Sequence, residues 1–112
     1  MEGDVCPMSD RVVYIGSKPV HLYVRAVVTA MSNGDSTVVL NARGTTISKA
    51  VDVAELCRRR HGQIAAGLPA SVHVRGVEIT TEDVERRDGE GTRGVSVIRI
   101  TLEGEGDVPN QD

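Results

Sequence analysis

Residues 37–42, TVVLNA, form an apolar run of strand length that passes through Arg43 and Gly44 into residues repeating at helical spacing. An apolar run without polar alternation marks a strand buried on both faces, so it belongs inside a sheet. Ile47, Ala50, Val51, Ala54 and Cys57 then supply the apolar face of a helix, with Thr45 or Thr46 as its cap and Gly62 beyond its end. The same unit occurs earlier. RVVYIG, residues 11–16, reads as a short strand closed by Gly16. It leads to a helix with Pro19 in its first turn, Ser17 as cap, and Val20, Val24, Val27, Val28 and Met31 on one face. Lys18, His21, Arg25 and Thr29 form a separate polar stripe facing water or a ligand. A strand–helix–strand unit closes with a right-handed crossover, which makes the two strands parallel.

After a Gly- and Pro-containing connection come two β-rich runs, residues 71–81 and 94–103. Val72 and Val74 share one parity and Val77 and Ile79 the other, which a bulge near Gly76 reconciles. Asp88-Gly89 is a tight-turn pair between them, so the runs form a long antiparallel hairpin. The expected fold is α+β, a two-layer sandwich of order βαβαββ. It has a four-stranded mixed sheet, two helices and a protruding hairpin arm.

Tyr14 and Tyr23 are the only aromatic residues, so the core is built from Val, Ile, Leu and Ala. That scarcity argues against the multi-ring stacking platform of many single-strand binders. Cys6 and Cys57 belong to no CxxC pair, which gives neither a disulfide framework nor a zinc site and fits a reducing compartment. No run approaches the roughly 18 apolar residues of a membrane span, and the N-terminus is acidic where a signal peptide is basic. A soluble, cytoplasmic protein is expected, with no metal, no cofactor and no membrane partner.

The net charge is -3, but its distribution matters more than its sum. Residues 1–10 and 103–112 carry seven acids and no base, and are expected to be disordered acidic tails around a domain of residues 11–102. Residues 11–75 hold nine bases against three acids. A basic body can hold phosphate despite acidic ends, because charges beyond a Debye length of roughly 8 Å are screened.

Segments leaving the carboxyl ends of parallel strands gather at one edge of a sheet, where ligands bind. GSKP and NARGT both leave there. Gly16 and Gly44 permit close backbone approach, each precedes a helix N-terminus, and Lys18 and Arg43 add full charges. The pairing suits an anion. Neither GxxxxGK[ST] nor GxGxxG occurs, which argues against a nucleotide pocket.

VYIGSKPVHLYV, then VVLNARGTTISKAVDVAELCRRR, then the basic-tipped hairpin together resemble the Alba family of archaeal chromatin proteins over residues 11–102. The resemblance implies a fold similar to the C-terminal domain of bacterial translation initiation factor 3. It also implies a homodimer, or a heterodimer with a paralogous subunit, that binds double-stranded DNA and RNA with little sequence preference in packaging the chromosome. On that basis Lys18 and Arg43 contact phosphates near the dimer centre, Tyr23 is a ring placed near nucleic acid, and Arg86, Arg87 and Arg93 lie on arms following the duplex. Ser17, Arg25, Asn41 and Thr45 complete the expected contacts. Ser17 stands where many members have a Lys that is acetylated, Asn41 where Lys is frequent, and Thr45 where a base can stand. His61 stands where many members have a Phe that packs dimer on dimer. Residues 82–93 set three arginines against five acids, so the arms must present their arginines selectively.

Two other functions are compatible with the residues. An RNA-directed role in stabilisation or processing would use Ser17, Asn41 and Thr45 as polar contacts to 2′-hydroxyls. An enzymatic role would need Cys57 and His61, four apart on one helix, as a thiolate pair, although Cys57 also continues the apolar face. Val53 and Leu56 offer apolar surface off the main stripe for a second subunit.

Overall fold

The computed structural model describes residues 10–60, 62–87 and 89–106. Chain order is β1 (Asp10–Tyr14), α1 (Val20–Ser32), β2 (Thr37–Arg43), a 3-10 turn (Gly44–Thr46), α2 (Ile47–Arg59), α3 (Gly62–Ala65), β3 (Ser71–Glu85) and β4 (Thr92–Glu105). The sheet order is β1-β2-β4-β3, with β1 parallel to β2 and the remaining pairs antiparallel. This is the α+β arrangement expected from the sequence. The central strand β2 follows from its run of branched side chains: Val38 and Leu40 are 0 % exposed, and Val39, on the opposite face, only 6 %.

Both longer helices cover one face of the sheet. Val38, Leu40 and Ala42 of β2 and Ile98, Ile100 and Leu102 of β4 share the cluster with Val24 and Val27 of α1 and Ala50, Val53, Ala54 and Cys57 of α2. The other face carries Tyr14, Asn41, Arg43 and Arg99 at the alternate register positions. Val53, expected at a subunit boundary, lies wholly inside this core, and Leu56 is half-buried beside it.

Local details correct the sequence reading at several points. Pro19, not Ser17, caps α1, and it supplies no side-chain bond. Arg60, not Gly62, ends α2 in the left-handed conformation with φ 50. A non-glycine residue there is strained, and the Arg60 guanidinium offsets this by donating to the Ala66 carbonyl at 3.3 Å. Gly62, at φ 90, instead opens the short α3, which the sequence did not suggest and which brings Ala65 and Leu68 fully into the core. The bulge is present as expected, between Val74 and Gly76. β4 extends to Glu105, so Glu103 and Glu105 belong to the sheet rather than to a tail. Glu103 pairs with Arg75 at 2.6 Å and Glu105 with His73 at 3.2 Å. Residues 1–9 and 107–112 of the expected tails, His61 and Asp88 lie outside the described residues.

Candidate nucleic-acid interface

Both loops that leave the carboxyl ends of β1 and β2 are held by hydroxyl groups. Tyr23, on the buried face of α1, directs its phenol oxygen back to the first loop, where it accepts the backbone N–H of Gly16 at 2.8 Å and of Lys18 at 3.1 Å. In the second loop the Thr46 hydroxyl accepts the Arg43 N–H at 3.3 Å and donates to the Arg43 carbonyl at 2.9 Å. Gly44 begins this turn at φ 62, a conformation that disfavours any side chain.

Tyr23 therefore has a different part from the one expected. Its ring is only 8 % exposed, so it is a core residue that shapes the lysine loop and does not face a ligand. The signal was available: position 23 falls within the helical stripe of Val20, Val24 and Val27. The same bonds turn the Gly16 and Lys18 N–H groups toward Tyr23, so neither is offered to an anion. Replacing Tyr23 by Phe strips both of their acceptor and is expected to cost about 1–3 kcal/mol, read as a lower midpoint in thermal or urea unfolding.

Of the cations around these loops, Lys18 and Arg43 are exposed and Lys49 is half-buried. Lys18 makes no side-chain ion pair among the described residues. Lys49, in the first turn of α2, donates from Nζ to the Lys18 carbonyl at 2.8 Å and so ties the two loops together. The sequence reading passed over Lys49, although it sits one helical turn after the Arg-Gly pair. Arg43 was expected to be free and is not: its guanidinium is bonded to the carboxylate of Glu82 on β3. Both partners are more than half exposed, so this ion pair is worth at most about 1 kcal/mol and a phosphate can compete for the guanidinium.

Ser17 and Thr45 are exposed beside these cations and Asn41 is half-buried on β2. An open crevice of about 490 Å³ at the strand ends is lined by Tyr14, Ile15, Asn41, Ala42, Arg43, Glu82 and Val97. Arg25 is not part of it. It lines a separate groove between β1 and α1 with Arg11, Val12 and Leu22. Arg86 and Arg87 occupy the turn of the arm, where the Arg86 N–H donates to the Gly91 carbonyl at 2.9 Å, and Arg93 is the second residue of β4 just beyond it. All three are exposed and distant along the chain from the strand-end loops.

Elsewhere, no group of three or more His, Cys, Asp or Glu residues suited to a metal ion occurs among the described residues, and none of their helices is long and apolar enough to cross a membrane. Cys57 is fully buried, and burial pushes its thiol up to about 12. Burial and a raised pKa both disfavour a thiolate nucleophile at that position. Arg58 bonds back to Glu55 at 2.7 Å, lowering that carboxyl below its ordinary value and securing the last turn of α2.

The chain matches the family model described as Alba over residues 11–67. It is 42% identical over 95 residues to the DNA/RNA-binding protein Alba 1 of Archaeoglobus fulgidus, with 85% of this chain and 97% of that one aligned. Among solved structures it is similar to Alba from Thermoplasma volcanium, with a TM-score of 0.69 and 38% identity over 83% of this chain and 99% of that one. ALBA1 from Trypanosoma brucei shares the fold, with a TM-score of 0.62 at 20% identity over 84% of this chain and 68% of that one.

Proposed function

Because this chain belongs to the Alba family, we propose that it binds double-stranded DNA, and RNA, by gripping backbone phosphates irrespective of base sequence, as a homodimer that packages the chromosome in the cytoplasm. The observation that carries this reading is the bond from Lys49 to the Lys18 carbonyl, which ties the loop after β1 to the helix that follows Arg43 and so sets three bases on neighbouring segments at the strand ends. Paired strand ends with fixed backbones and exposed cations suit a polyanion whose charge repeats regularly and whose bases are not consulted. Ser17, Asn41 and Thr45 add neutral hydrogen-bonding groups beside them. Arg86, Arg87 and Arg93 supply the arm with charge that can enter a groove and sense its width. The fully buried Cys57 and the names of the relatives both favour a binding protein over an enzyme.

The homodimer is supported by apolar surface that the protomer leaves open. Val51 of α2 is 42% exposed, and on β3 Val77 is 55% and Ile79 74% exposed. Val77 and Ile79 stand opposite Ile100 and Ile98 of β4, which places them on the helix side of the sheet beyond the cover of α2. Two copies meeting there would bury the row and bring two sets of strand-end cations into one structure.

Titration of a short DNA duplex and of its RNA counterpart across salt concentrations, with Arg43→Ala in parallel, tests the reading. Equal or stronger affinity for the RNA duplex at matched salt would favour the RNA-directed role. The Arg43–Glu82 pair sets a further expectation. Glu82→Gln releases the guanidinium and removes one negative charge from the crevice. It is expected to tighten duplex binding about two- to fivefold, given the strength of an exposed ion pair, in a fluorescence-anisotropy titration at low salt. The gain should vanish in the Arg43→Ala background.

A further inference from the structure

Tyr14 is the only exposed aromatic residue of the chain, and neither a duplex grip nor the core accounts for it. Its ring is 73% exposed at the end of β1, on the sheet face opposite the helices. Across the sheet it stands beside Asn41, Asn41 beside Arg99, and Arg99 beside Glu78. Arg99 is exposed and makes no ion pair among the described residues, in contrast to Arg43 and Arg75. The crevice that begins at Tyr14 and includes Asn41 and Arg43 is large enough, at about 490 Å³, to hold one nucleotide.

We propose that this open face carries a second nucleic-acid site, which takes an unpaired nucleotide from a single strand. The base stacks on Tyr14, the Asn41 amide meets its polar edge, and the flanking phosphates lie on Arg99 and Arg43. Neighbouring strands are about 4.8 Å apart, so the ring and the Arg99 position are separated by roughly 10 Å, the reach of a nucleotide from base to adjoining phosphates. A duplex keeps its bases stacked inside and offers Tyr14 nothing, whereas every unpaired base has a face that an aromatic ring can cover. One ring is no platform, so the site holds a single base and its affinity for long strands comes from the cations. This inference rests on the proposal that the chain binds nucleic acid and shares Asn41 and Arg43 with the duplex reading, but it adds Tyr14 and Arg99, which that reading leaves idle.

The test uses intrinsic fluorescence, because the chain has two tyrosines and no tryptophan. Tyr23 is buried with its hydroxyl engaged, so a change in emission on adding an oligonucleotide reports on Tyr14. Eight-residue oligothymidylate and oligouridylate are titrated into the full chain at low salt, with a DNA duplex alongside. Quenching by either single strand is expected, the stronger quencher identifying DNA or RNA as the source of the base. Tyr14→Ala is expected to weaken single-strand binding about 5- to 100-fold while changing duplex binding less than twofold. Tyr14→Phe should restore the single-strand affinity. Unchanged emission with both oligomers, or equal loss on single strand and duplex in Tyr14→Ala, overturns the proposal. A wild-type chain that ignores the duplex but is quenched by a single strand overturns the duplex reading and leaves this site standing.

Discussion

Raising salt from 50 to 200 mM is expected to weaken duplex binding about a thousandfold. The figure follows from counterions. Each phosphate neutralised on duplex DNA adds about 0.9 to the slope of log affinity against log salt, so a dimer in which each protomer uses Lys18, Arg43 and one arm arginine has a slope of about -5. Lys49 is left out of this count because its ammonium is already bonded to the Lys18 carbonyl, although its charge still raises the local potential. Arg43→Ala removes one contact per protomer, so the slope should become shallower by about two in the dimer and binding should weaken on every sequence alike. The Glu82 carboxylate makes this the most informative position, since Arg43 must exchange one anion for another before it contributes. Affinity that is flat with salt would remove the phosphate mechanism, whatever the fate of individual residues.

Leu40→Ala is expected to cost about 2–5 kcal/mol, a large part of the roughly 5–15 kcal/mol that holds a domain of this size together. Leu40 lies on the central strand, beside Val13 on one side and Ile100 on the other, beneath the helices and with no exposed surface. Its neighbours are short branched side chains and alanines that cannot reach into the vacated space, so collapse would recover little of the loss. At about 4–8 °C per kcal/mol, the melting temperature should fall by ten degrees or more. The parallel change Ile79→Ala removes a similar side chain at a position 74% exposed in the protomer, and for a monomer should cost under about 0.5 kcal/mol. A cost nearer to that of Leu40→Ala, dependent on protein concentration, would show that a second copy covers the β3 row.

The strand–helix–strand opening was legible because its signals are local. β2 has an apolar run that only burial on both faces permits, and α1 and α2 have stripes of period near 3.6. The β3 bulge was legible too, since Val72 and Val74 cannot otherwise share a face with Val77 and Ile79, which have the opposite parity. What stayed hidden depends on long-range contact. Glu82 reaches Arg43 from 39 residues away, and nothing in the arm's composition distinguishes it from Asp83 or Glu85. Tyr23 was expected on the ligand side, although its place in the helical stripe points inward. Docking puts Tyr23 inside and leaves Tyr14 on the uncovered face. Arg60 in place of Gly62 at the end of α2 was unreadable because a glycine two residues on is the cheaper choice by local conformation alone, and the bonds that repay Arg60 come from carbonyls near α3.

The unpaired residue between Val74 and Gly76 works as a phase shifter for everything downstream of it. Side chains on a strand alternate with a period of two, so pairing Arg75 into an unbroken ladder would rotate the outer half of β3 by half a cycle and exchange the destinations of Val77 and Ile79 with those of Glu78 and Glu82, whereas deleting it would flatten the bulge and leave them where they are. One extra residue thus reconciles two opposite sequence phases and keeps the greasy side of the protruding ribbon continuous with that of the globular body from which it grows.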